Sequence, residues 1–124
     1  MRIQRFEDVI AWQKAKKLTI ELRLAFGDIK DFTFRDQIFR ASLSIMNNIA
    51  EGFDRGTDKE LKYFLQIARG STAEVRSMLI VALDFKYISA TQQKDFIDLT
   101  NEISKILTGF IKSLILDYRL VTKD

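Results

Sequence analysis

The chain is predicted to be all-α, an antiparallel up-down-up-down four-helix bundle, on three observations. It has no proline and only five glycines in 124 residues, so little interrupts a helix along its length. Apolar residues recur at spacings of three and four almost throughout, the period of a helix that buries one stripe. The pattern breaks near Gly27, between Gly52 and Gly56, and before Ser89, and connections this short join antiparallel neighbours. Residues 1–124 form a single domain, long enough to bury a core of its own.

The first helix is expected over about residues 8–26, with Asp8 as its N-cap and Gly27 as a left-handed residue beyond its end. Its core stripe is Ala11, Ala15, Leu18, Leu22, Ala25 and Ile29. A second helix starts after Thr33, capped by that hydroxyl with Asp36 three residues on, and reaches about residue 53. Ile38, Ala41, Ile45 and Ile49 line its core side, and residues 52–56 supply a turn. The third opens with a capping box from Thr57 to Glu60 and extends to about residue 85 on Leu61, Phe64, Leu65, Ala68, Val75, Leu79 and Ala82. A second capping box, Ser89 with Gln92, starts the fourth, which packs Phe96, Leu99, Ile103, Ile106, Phe110 and Leu114. It is expected to fray near residue 118, leaving 121–124 as a mobile tail.

Composition removes many functions. At 47% hydrophobic and 30% charged residues, the chain resembles a soluble globular protein. Its longest apolar run, 78–83, is stopped by Asp84, far short of the roughly 20 residues a membrane span requires. Met1-Arg2-Ile3-Gln4-Arg5 lacks the apolar segment of a secretory signal, so a cytoplasmic location is the default. Cysteine and histidine are absent, which excludes disulfides, thiolate nucleophiles, imidazole bases and nearly every transition-metal site. No catalytic residue, metal or cofactor is therefore expected. The net charge of +3 sits mainly in the first 27 residues, where six cations face three carboxylates. Such an excess permits a polyanionic partner.

Some apolar residues exceed what a lone bundle needs. Ile20 and Leu24 fall opposite the first helix's core stripe, with Val9 and Ile10 toward the same side. Phe39, Leu43, Met46, Ala50 and Phe53 form a second surface on helix two. Single exposed apolar residues are ordinary, but two helices each with a second stripe predict a subunit interface.

Charged and polar residues fall into three groups. Lys62, Arg69 and Arg76 recur every seven residues on helix three, in one row with steps of about 10 Å. Such a row either tracks phosphates or is a solvated face. Lys14, Lys16 and Lys17 add charge on helix one, where Lys17 is also placed to pair with Glu21. On helix two, Arg40, Ser44, Asn47, Asn48, Glu51 and Arg55 make a polar side, while Glu60, Ser71 and Glu74 edge the apolar arc of helix three. Carboxylates there need Arg or Asn partners on a neighbouring helix or subunit. The competing reading, an acid/base or di-metal site, lacks the Glu-x-x-His element that bundles use. Gly70 costs about 1 kcal/mol in mid-helix relative to alanine, so close approach of another helix or a local distortion is expected there.

Two segments carry a resemblance. Residues 42–52, Ser-Leu-Ser-Ile-Met-Asn-Asn-Ile-Ala-Glu-Gly, and 64–74, Phe-Leu-Gln-Ile-Ala-Arg-Gly-Ser-Thr-Ala-Glu, resemble the bacterial four-helix-bundle proteins encoded in 23S rRNA intervening sequences. Residues 6–15 are similar to their opening helix. The superfamily includes the accessory variability proteins of diversity-generating retroelements, pentameric barrels that work with nucleic acid. The resemblance implies a homopentamer of antiparallel bundles and nucleic-acid binding. It also implies that Asn48, Glu51, Gly52, Arg55, Glu60, Arg69, Gly70, Ser71 and Glu74 hold helices and subunits together. Members commonly carry proline at the position of Met46, and its absence removes the kink a proline imposes.

Two functions remain in view. The first is a non-enzymatic oligomer that contacts structured RNA or DNA through Lys14, Lys16, Lys17, Lys62, Arg69 and Arg76, and self-associates through Ile20, Leu24, Phe39 and Met46 with the motif residues. The alternative is a protein-protein interaction scaffold that binds no nucleic acid. Neither requires a membrane.

Overall fold

A computed structural model of the chain describes residues 5–122, with side chains to Leu114. Residues 1–4, and the last two of the expected tail, lie outside the described residues. Among those described, a short 3-10 turn, Phe6–Asp8, precedes four α-helices: α1 (Ile10–Phe26), α2 (Phe32–Arg55), α3 (Asp58–Asp84) and α4 (Ala90–Thr122). Each of α2 and α4 packs against both α1 and α3, so α1 and α3 lie on a diagonal of the bundle. The expected all-α four-helix bundle is the fold observed.

Helix starts follow local chemistry. Thr57 Oγ1 accepts a hydrogen bond from the Glu60 N–H at 3.2 Å and donates to its carboxylate at 3.1 Å. At α4 the box is reciprocal: Ser89 Oγ accepts from the Gln92 N–H at 3.1 Å, and the Ser89 N–H donates to the Gln92 side chain at 2.9 Å. Two expected caps differ. Asp8 ends the 3-10 turn, and Val9 occupies the N-cap of α1 without a side-chain bond. Asp31, not Thr33, caps α2, its Oδ1 accepting from the Phe34 N–H at 3.1 Å. Gly27 is right-handed at φ −61°, whereas Gly56, at φ 90°, is a left-handed glycine that ends α2. Helix α2 passes unbroken through Gly52 and stops two residues later than expected, and α4 continues to Thr122 instead of fraying near 118.

The core is continuous from end to end. Leu18, Leu22, Ile38, Ile45, Ile49, Leu65, Leu79, Ile103 and Leu107 are fully buried. On α4, Phe96, Ile103 and Leu114 are buried as expected, but Thr100, Leu107 and Ile111 are buried in place of Leu99, Ile106 and Phe110, which are half-buried. Phe26 similarly replaces Ala25 and Ile29 as the last buried residue of α1, and Phe64 is half-buried at the edge of α3. Val9, expected outside, is 2% exposed. Three polar residues share the core, and each bonds back to its own helix: Ser42 to the Phe39 carbonyl, Thr72 to Ala68 and Thr100 to Ile97. No buried side-chain nitrogen or oxygen among the described residues lacks a partner.

At the end holding the α1–α2 and α3–α4 loops, Phe34 packs against Phe26, Phe85 and Tyr87. The Tyr87 hydroxyl donates to Asp31 Oδ2 at 2.6 Å, tying one loop to the other. That bond, with the Phe34 N–H, holds the Asp31 carboxyl below the usual carboxylate range and raises the Tyr87 hydroxyl above its ordinary value.

Candidate functional site

Seven of the family-motif residues, Asn48, Glu51, Gly52, Arg55, Glu60, Ser71 and Glu74, gather along the seam between α2 and α3, whereas Arg69 and Gly70 do not. Glycine at position 52 lets the helices meet: a Cβ built there stands 3.0 Å from the Phe64 Cβ and 3.4 Å from the Leu61 Cα. Arg55 then donates to Glu51 at 2.7 Å and lies 3.6 Å from Glu60 across the seam, with its guanidinium over the Phe64 ring. The hydrogen bond to Glu51 is the main reason that the Arg55 pKa is raised. Further along, the Ser44 and Ser71 hydroxyls meet at 2.8 Å, and Asn48 Nδ2 donates to the Ser44 carbonyl and hydroxyl at 2.8 and 3.0 Å. Gln37 Nε2 closes the row on Glu74 at 2.5 Å.

This arrangement clamps two helices. The three carboxylates do not converge: Glu51 and Glu60 meet at Arg55, whereas Glu74 is fourteen residues beyond Glu60, about 21 Å away by helix rise. Each is engaged by a neighbour within the chain, and no group of three carboxylates able to hold a metal ion occurs among the described residues. Gly70, expected at a close helix approach or a local distortion, meets no other helix of this chain, a Cβ there finding nothing within 4 Å, and α3 runs through it unbroken. It opens onto the outer side of α3.

The second apolar surface is partly real. Leu24 is 79% exposed and Ile20 51%, with Ile10 and Leu43 also exposed, while Ala50 is half-buried. Phe39, Met46 and Phe53 are half-buried against the core, and the Arg23 guanidinium covers the Phe39 ring. The uncovered stripe therefore lies chiefly on α1.

The six expected phosphate-binding residues divide between two sides. Lys14 is ion-paired with Glu102 of α4, and Lys16 lies over the Trp12 ring at 5.8 Å. Lys17 shares a groove with Glu21, Asp95, Asp98 and Glu102, but its expected ion pair with Glu21 is not among those formed. Across the diagonal, Lys62, Arg69 and Arg76 line the α4 flank of α3. None of them forms an ion pair among the described residues, and Arg69 Nη1 donates to Thr108 Oγ1 of α4 at 3.3 Å. The sequence reading omitted Lys105 and Lys112. They lie three residues before and four after Thr108, hence on its side of α4. Their seven-residue spacing repeats that of the α3 row, but assigning them to it requires the pairing of the two helices.

The sequence profile of a family described as 23S rRNA-intervening sequence protein matches residues 7–109. Among solved structures, a protein of unknown function from the S23 ribosomal protein family of Bacteroides thetaiotaomicron superposes with a TM-score of 0.77 at 23% identity. The match covers 83% of this chain and 96% of that one, a likeness of fold. No curated protein matches.

Proposed function

Starting from a chain that belongs to the 23S rRNA-intervening sequence protein family, we propose that it is a non-enzymatic, cytoplasmic, self-associating bundle that binds structured RNA or DNA through basic helix faces. The observation that carries this reading is the row Lys62, Arg69 and Arg76: three cations in register, none neutralised by a carboxylate among the described residues. Cations held on a rigid helix and left unpaired attract phosphates and release their counterions on contact. The lysines of α1 support the reading less, because carboxylates surround Lys14 and Lys17.

Self-association is supported by the exposed stripe of Ile10, Ile20 and Leu24, and the family resemblance suggests a pentamer. The engagement of Glu51, Glu60 and Glu74 in the α2–α3 seam supports a non-enzymatic role, since it leaves no carboxylate of the three free as an acid or base. Titration of a labelled, structured RNA at low and moderate salt tests the binding. Affinity that falls steeply with salt is expected, and no binding at low salt, with protein alone recovered in a pull-down, would favour the interaction scaffold.

A further inference from the structure

We infer that the nucleic-acid site is a two-helix face completed by Lys105 and Lys112, and that its ligand is the phosphate backbone of a duplex. This rests on the nucleic-acid reading of the α3 row. The Arg69–Thr108 and Gln93–Leu79 hydrogen bonds hold α3 against α4. Arg76 and Lys62 are about 21 Å apart along α3 at a rise of about 1.5 Å per residue, and with Arg69 and Thr108 level Lys105 and Lys112 fall within that stretch. The cations stand on two helices whose axes are about 8–10 Å apart. Five positive charges thus share one two-helix face, and none is ion-paired among the described residues.

Asp98, seven residues before Lys105 and in its row, is paired with Lys94 of the same helix; the two carboxylates within the windows that carry the cations turn elsewhere. Within residues 62–76 the only one is Glu74, bound to Gln37 on the α2 side. Within 101–114 the only one is Glu102, bound to Lys14 on the α1 side. The chain's own pairing thus draws negative charge toward the other helices.

No aromatic side chain stands in the cation rows themselves. The aromatics of these two windows are Tyr63, Phe64 and Phe110; Tyr63 is exposed and leans on Phe64, Phe64 lies under Arg55 toward α2, and Phe110 packs on Phe53. Single-strand sites pair cations with aromatic platforms, whereas duplexes are held through shape and phosphates. Fixed helices whose facing rows carry cations with short hydroxyl or amide groups such as Thr108 and Asn101 between them suit the second. Duplex RNA and duplex DNA share the chemistry, so both are probed.

The test measures anisotropy on fluorescent duplexes of about 12 base pairs, in RNA and in DNA, and on one strand of each, from 50 to 200 mM salt. Five phosphate contacts at a slope near −0.9 each give about a 500-fold loss of duplex affinity over that range. K105Q/K112Q should reduce the loss to about 40-fold, K105R/K112R should restore it, and K30Q/K86Q, in the loops at one end of the bundle, should leave it unchanged. All replaced side chains are exposed, and thermal melts verify the folds. Wild-type binding with no change in K105Q/K112Q would overturn the two-helix face while leaving the α3 row in place. Single strands bound as tightly as duplexes would overturn the choice of ligand. If the wild type bound none of the probes, the nucleic-acid reading itself would fall, and this inference with it.

Discussion

Replacing Gly52 with alanine sets helix propensity against packing, and the structure says which wins. In a helix interior, alanine is favoured over glycine by about 0.8–1.0 kcal/mol. Against this, the new Cβ would meet the Phe64 Cβ at 3.0 Å, Leu61 Cδ1 at 3.1 Å and the Leu61 Cα at 3.4 Å. The Leu61 methyl can rotate away, but the other two atoms move only if α3 moves, carrying the bonds of Arg55 to Glu60 and of Ser44 to Ser71 with it. Overpacking of this kind costs about 1–3 kcal/mol, so G52A should be destabilised by a net of about 1 kcal/mol. G70A is the control, because open space surrounds its Cβ, and it should gain close to the full propensity of about 1 kcal/mol. Urea unfolding followed by circular dichroism gives both values from midpoint shifts at constant m. A G52A protein as stable as the wild type would refute the claim that Gly52 sets the α2–α3 approach.

Three other outcomes are expected. Leu107→Ala should cost about 2–5 kcal/mol as a cavity in the fully buried face of α4, and Ile106→Ala less, which urea melts would check against an equal cost for the two. The Asp31 carboxyl lies below its ordinary range, so its contribution to stability is present above that range and is lost as pH falls through the folded-state pKa; Tyr87, raised, contributes below the ordinary tyrosine range and loses its share as pH rises through its own. Y87F should therefore flatten both limbs of a plot of melting temperature against pH, and an unchanged plot would show that the loop clamp is idle. Leu24→Glu with Ile20→Glu should lower the mass seen by light scattering toward the 14.4 kDa of one chain while the helical signal persists, and a wild type already at that mass would remove the case for a subunit interface.

Legibility in the sequence followed the range of the interaction. The boxes at Thr57 and Ser89 were readable because donor and acceptor are three residues apart. Asp31 was missed in favour of Thr33: its second oxygen is held by Tyr87, 56 positions away, so part of what fixes it at the cap is tertiary. On α4, Thr100 was passed over for Leu99 because it reads as polar, yet its hydroxyl bonds to the Ile97 carbonyl and the remainder can be buried. Gly52 looked like part of a turn since its role, room for Phe64 and Leu61, exists only once α3 returns beside α2. Lys62, Arg69 and Arg76 could be grouped by spacing alone, but their separation from the α1 lysines and their proximity to Lys105 and Lys112 required the helix pairing.

Lysine footprinting by chemical acetylation and mass spectrometry, with and without a structured RNA, tests the central claim most directly. Lys62, Lys105 and Lys112 should lose reactivity when RNA is bound, while the exposed Lys16 and Lys17 of α1 keep theirs. Protection confined to the α1 lysines, or equal at every lysine, would contradict the assignment of the α3–α4 face.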